Sequence, residues 1–124
     1  MSFALAKRVM KAAGTFPKFE LLGLSQQLRR AALSVPSNIA EGFGRGSRVD
    51  YARFLKIARG SLFEVDTQLL MAKELGYLTS RGYDSLMADW NEVSKVLAGL
   101  IRNVQQVRRA AATNAESRMP IAAR

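Results

Sequence analysis

With 124 residues the chain is the length of one domain with a single modest core, and its 48% hydrophobic content excludes a disordered polymer. It contains neither cysteine nor histidine, which removes disulfides, thiol nucleophiles, the usual neutral-pH general base and the commonest zinc ligands. Nineteen basic residues against ten acidic ones give a net charge of +9, as expected of a protein with a polyanionic partner.

The first helix is predicted over Phe3–Ala13, with Leu5, Val9 and Ala12 on one face and Gly14 and Pro17 closing it. Residues Phe16–Gly23 read as a connection whose Phe16, Phe19, Leu21 and Leu22 dock back on the core. A second helix begins at Leu24–Ser25 and carries Leu28, Ala32, Val35, Ile39 and Phe43 at helical spacing. The spacing keeps phase through Pro36, which favours one kinked helix over a break, although proline inside a helix costs about 3 kcal/mol.

The glycines of Gly42-Phe43-Gly44-Arg45-Gly46 end that helix, and Ser47 with Asp50 three residues later opens the third. Its stripe is Tyr51, Phe54, Leu55, Ala58, Leu62, Val65, Leu69 and Ala72, with Gly76 as the residue that stops it. Thr79 caps the fourth helix, whose stripe is Tyr83, Leu86, Trp90, Val93, Leu97, Leu100, Ile101 and Val104. Beyond Arg109 no stripe continues. The expected architecture is all-α: an antiparallel up-down-up-down four-helix bundle over residues 1–109, followed by a loose tail over 110–124.

The third helix is too apolar for one buried face, because Ile57, Phe63, Leu70 and Met71 fall off its main stripe and Gly60 and Ser61 interrupt it. Either it is the central helix of a monomer, covered on both sides, or its second face meets another subunit. A chain this short has few elements to cover two faces, which favours self-association. The second helix carries a polar line of Gln27, Arg30, Ser34, Asn38, Glu41 and Arg45 opposite its core face. That line is either solvated or pressed against a neighbouring helix or subunit, where it would set register.

Charge is unevenly spread. Residues 1–60 hold 11 basic and 3 acidic side chains, and residues 61–100 hold 3 basic and 6 acidic ones. Folding the chain as an antiparallel bundle gathers Arg45, Arg48, Arg53, Lys56 and Arg59 with Arg102, Arg108 and Arg109 at one end, where Lys7 and Arg8 join them. Such an end would neutralise phosphates without reading sequence. A solvated cationic surface that serves solubility is the plainer alternative.

Other chemistry finds little support. Gly42-x-Gly44-x-Gly46 lacks both the phosphate-loop spacing and a preceding strand, so it reads as a helix stop. The pairs Glu64 with Asp66 and Asp89 with Glu92 lack the histidine partners of di-iron bundles. No catalysis, metal or cofactor is expected. No apolar run approaches the ~20 residues of a membrane span, and early charges at Lys7 and Arg8 speak against a secretory leader, so a cytoplasmic protein is expected.

The segments SVPSNIAEGFGR (34–45) and FLKIARGSLFEVDTQL (54–69) give the chain a family likeness. Together with Phe16, Pro17, Gln27, Arg29 and Arg30, it resembles the four-helix-bundle proteins encoded in intervening sequences of bacterial large-subunit rRNA genes. The likeness runs over Leu5–Val104. It is also similar, more distantly, to the accessory variability proteins of diversity-generating retroelements. The resemblance implies a ring-like homo-oligomer, a pentamer, with a basic surface for nucleic acid, and it brings no active site to transfer. The resulting expectation is a non-enzymatic, self-associating module that binds RNA or DNA with little sequence preference. The alternative is a scaffold for a nucleic-acid-processing protein. The residues expected at the subunit interface or on the polar line are Gln27, Arg30, Ser34, Asn38, Glu41, Ile57, Gly60 and Met71.

Overall fold

The computed structural model describes residues 1–117, with side chains through Val107 and at Thr113. Four helices form, α1 (Ser2–Ala13), α2 (Leu24–Gly44), α3 (Arg48–Glu74) and α4 (Ser80–Ser117), with a short 3-10 turn at Lys18–Glu20. No strand occurs among the described residues.

Local chemistry sets the boundaries. The Ser47 hydroxyl accepts the backbone N–H of Asp50 at 3.1 Å, which satisfies one of the free donors at the start of α3. Thr79 does the same for α4, accepting from the Gly82 N–H at 2.9 Å. At the end of α3, the N–H of Tyr77 reaches the carbonyl of Ala72 at 2.8 Å and that of Gly76 reaches Lys73 at 3.0 Å. This paired closure needs a left-handed residue, and Gly76 supplies it with φ of 80°. Helix α2 runs unbroken through Pro36, as its apolar spacing requires. Burial of Leu28, Ala31, Ala32 and Val35 on the turns before the proline holds the helix across the missing donor.

Connections are short, so sequential helices are antiparallel neighbours. Around the bundle α1 packs on α2, α2 on α3, α3 on α4 and α4 on α1, leaving α1 diagonal to α3. The core is built from Leu5 and Val9 of α1, Leu28 and Val35 of α2, Leu55, Leu62, Val65 and Leu69 of α3, and Leu86, Trp90, Val93, Leu97 and Ile101 of α4. Phe16 closes one end, its ring 5.4 Å from that of Tyr77. Burial first, and then the Glu20 carboxylate, raise the Tyr77 phenol above its ordinary pKa of 10.0.

Three expectations are corrected. Phe16 docks on the core, but Phe19, Leu21 and Leu22 do not, with Phe19 77% and Leu22 80% exposed. The 3-10 turn winds these residues outward, and only the edge of Phe19 touches Tyr77. Phe43 is also outside the core, 75% exposed. The inward rhythm from Ile39 continues three residues on to buried Gly42 rather than four residues on to Phe43. Last, α4 continues past residue 109 to Ser117, because the run Ala110-Ala111-Ala112 has the highest helix propensity available. The remainder of the expected tail, 118–124, lies outside the described residues.

Candidate nucleic-acid interface

The turn between α2 and α3 brings backbone and aromatic groups unusually close. A Cβ placed on Gly42 would stand 2.6 Å from the Cβ of Phe54 and 3.3 Å from Cδ1 of Tyr51, so only glycine lets the two helices meet there. Two turns further from the loop the helices are joined by polar groups. The hydroxyls of Ser34 and Ser61 lie 2.8 Å apart, and the Asn38 amide donates to both the carbonyl and the hydroxyl of Ser34 at 2.8 Å.

Outside this joint sit arginines held by acids and rings. Arg45 donates to Glu41 at 3.0 Å and lies 5.2 Å from the Phe54 ring centre. Arg53 pairs with Asp50 at 3.5 Å and stacks 4.5 Å over the same ring from its own position. Arg48, Lys56 and Arg59 are exposed along the first half of α3 and make no ion pair among the described residues.

The antiparallel register places Arg102 beside them. Trp90 of α4 bonds to Leu62 of α3. Twelve residues onward along α4 therefore lies level with about twelve residues back along α3, near Asp50. The ring of Phe63 meets that of Trp90, so the flank of α3 facing α4 is the one that also carries Arg59, four residues before Phe63. Arg102 is exposed. Arg108 and Arg109 are on the backbone of α4, but their side chains lie outside the described residues.

Lys7 and Arg8 do not join this group. The Arg8 guanidinium bonds to the Asp89 carboxylate and, at 2.9 Å, to the Ser85 hydroxyl. Asp89 neighbours Trp90, about half-way along the bundle, well short of the Arg102 level. Lys7 instead lines a groove of about 360 Å³ between α1 and α2, with Phe3, Met10, Lys11, Arg29 and Leu33. Helix order alone puts the starts of α1 and α3 at the same end of the bundle, but α1 has 12 residues against 27 in α3, and its Arg8 meets α4 half-way along.

A model of the 23S rRNA-intervening sequence protein family matches residues 1–99, most of the chain. The chain belongs to that family. A solved structure of an S23 ribosomal protein family member of unknown function from Bacteroides thetaiotaomicron is similar to it, at 27% identity and a TM-score of 0.75. That likeness covers 81% of this chain and 94% of the other. No curated protein matches.

In this intervening-sequence protein the residues expected at an interface divide into two groups. Ser34 and Asn38 are spent inside the chain, Ser34 on Ser61 and Asn38 on Ser34, whereas Gln27, Arg30 and Glu41 are exposed and Glu41 is ion-paired to Arg45. Ile57, Leu70 and Met71 are exposed, and Phe63 stays 53% exposed although its ring meets that of Trp90 of α4, so much of the second face of α3 is left uncovered by the described chain. Gly60 on the same face has nothing within 4 Å of where a Cβ would be. Two turns along the same helix, Gln68 buries its side-chain oxygen without a partner among the described residues.

No group of three or more acidic residues that could hold a metal occurs among the described residues, and no helix there is long and apolar enough to cross a membrane. The aromatic frame of the turn, Phe43 with Tyr51 and Phe54, is the feature that sequence reading assigned to the core. The signal was present in Gly42, which occupies the inward position and leaves its neighbour Phe43 facing out.

Proposed function

We propose that this intervening-sequence protein is a non-enzymatic, cytoplasmic, self-associating bundle that binds RNA or DNA through the basic end formed by α3 and α4. The observation that carries the reading is the row of exposed Arg48, Lys56 and Arg59, without acidic partners among the described residues, level with exposed Arg102. Unpaired surface cations release counterions from a phosphate backbone on binding, and this supplies affinity without base recognition. The uncovered apolar face of α3, Ile57, Phe63, Leu70 and Met71, supports assembly into a homo-oligomer, for which a pentameric ring is the expected form.

The test is fluorescence anisotropy of a labelled structured RNA and a matching DNA duplex at several salt concentrations. Binding should weaken steeply with salt. Reversing Arg48, Lys56 and Arg59 to glutamate should weaken it further while the helical circular dichroism is retained. Equal binding by the reversed variant would remove this surface from consideration, and no binding at low salt would reject the nucleic-acid reading.

A second reading, a scaffold for a nucleic-acid-processing protein, is favoured by the α1–α2 groove. Phe3, Met10 and Leu33 form an apolar floor there and Lys7, Lys11 and Arg29 a basic rim, which suits an acidic amphipathic helix.

A further inference from the structure

The α2–α3 turn carries an aromatic group in a position that charge alone does not explain. Phe43 is 75% exposed, although burying a phenyl side chain is worth about 2 kcal/mol or more and the core begins one residue away at Gly42. Its ring is not loose. It meets the Tyr51 ring with centres 5.9 Å apart and planes at 78°, an edge-to-face arrangement that fixes the phenyl group while leaving most of its surface open. Tyr51 is in turn partly buried against the core, so the support is rigid.

The same turn holds two guanidiniums in fixed orientations, both on the neighbouring Phe54 ring. Arg45 follows Phe43 by two residues and is held by Glu41 and the Phe54 ring. Arg53 is held by Asp50 and the same Phe54 ring. The two carboxylates spend their charge on these two guanidiniums, which leaves Arg48 and Lys56 without acidic partners among the described residues. An open aromatic face, rigidly backed and set in a turn rich in arginine, is the composition of a surface that stacks a base and tracks its phosphates.

We infer that Phe43 is a stacking platform for an unpaired nucleobase, with exposed Arg48, three residues before Tyr51, taking a flanking phosphate, so that the basic end prefers single-stranded nucleic acid to duplex. This rests on the nucleic-acid reading above and narrows it to one structural class. Bases in a duplex are already stacked on each other and present no free face, whereas every unpaired base, in RNA or DNA, does. The preference is therefore for strandedness and not for sequence.

The experiment compares fluorescein-labelled oligo(dT), oligo(rU) and a duplex of equal length, titrated with wild-type protein and the Phe43→Leu and Phe43→Trp variants. The oligomer mass of each variant is measured in parallel. Leucine keeps the apolar character and loses the π face, and at an exposed site it leaves folding intact. The expected result is at least tenfold tighter binding of the single strands than of the duplex. Phe43→Leu should lose about tenfold on single strands and nothing on duplex, and Phe43→Trp should keep or exceed wild-type affinity. Parallel behaviour of the dT and rU probes means recognition of the base face and phosphate; a large gap between them means that the sugar is read as well, which overturns the platform as the source of affinity. Equal binding of strand and duplex, unmoved by Phe43→Leu, overturns the inference and leaves the broader charge-based reading standing. A fall in oligomer mass with Phe43→Leu overturns it as well, by making Phe43 a subunit contact. If none of the probes binds at low salt, the broader reading fails and this one with it.

Discussion

The indole N–H of Trp90 donates to the backbone carbonyl of Leu62 at 2.7 Å. The bond crosses from α4 to the middle of α3 in a buried setting, and it fixes which residues of the two helices stand level. Apolar packing between helices tolerates sliding by a turn, but a buried donor that must find one carbonyl does not. The placement of Arg102 beside the basic half of α3 follows from this single bond.

Replacing Trp90 with phenylalanine should therefore destabilise the fold by about 1–3 kcal/mol, from the lost hydrogen bond together with the smaller ring. The carbonyl of Leu62 keeps its own helical donor four residues on, so no buried acceptor is orphaned and the cost stays moderate. Urea unfolding followed by far-ultraviolet circular dichroism measures it. An unchanged midpoint would show that packing alone sets the register.

The serine pair between α2 and α3 makes an unequal demand on its two members. Ser61 is only 8% exposed and its hydroxyl has one partner, Ser34. Ser34 has two, because Asn38 also donates to it. Ser34→Ala should thus cost more than Ser61→Ala, about 1–3 kcal/mol against about 1 kcal/mol or less, since the first leaves a buried hydroxyl unmatched. The double variant should cost less than Ser34→Ala alone, because it also removes the hydroxyl that the single variant leaves unmatched. Chemical denaturation of the three variants checks the order. Equal single costs would mean that Ser61 turns to the carbonyl four residues back in its own helix.

The helices, their caps and most of the core were legible in the sequence because each is fixed locally. Ser47 and Thr79 cap α3 and α4 as their positions demand, and the stripes of α3 and α4 map onto buried residues almost one for one. What escaped depends on neighbours distant in the chain. Phe43 was assigned to the core because four-residue spacing from Ile39 permits it; the approach of Phe54 to Gly42 decides otherwise, and that approach is a property of two helices together. Arg8 reads as part of the basic end because helix order alone puts the starts of α1 and α3 at the same end of the bundle. Its bond to Asp89 depends on how far α1 is shifted along α4, which periodicity within α1 does not encode. The basic residues of α3 itself were legible, since they are simply those left outside a well-defined stripe.

Two glycines on facing elements separate what the fold needs from what assembly would need. At Gly42 a methyl group would meet the Cβ of Phe54 at 2.6 Å, a backbone-attached atom that cannot swing away, so Gly42→Ala should destabilise the chain by about 1–3 kcal/mol. At Gly60 a methyl group meets nothing within 4 Å, and glycine inside a helix costs roughly 1 kcal/mol relative to alanine. Nothing within the described chain justifies that cost. If the outer face of α3 is where subunits meet, a neighbouring backbone approaching Gly60 supplies the reason, as Phe54 does for Gly42. Gly60→Ala should then raise the unfolding midpoint measured at high dilution, where the chain is monomeric, and lower the oligomer mass measured by light scattering at high concentration. A raised midpoint with unchanged mass would move the subunit contact away from Gly60, and Phe63 and Met71 would be the residues left to carry it.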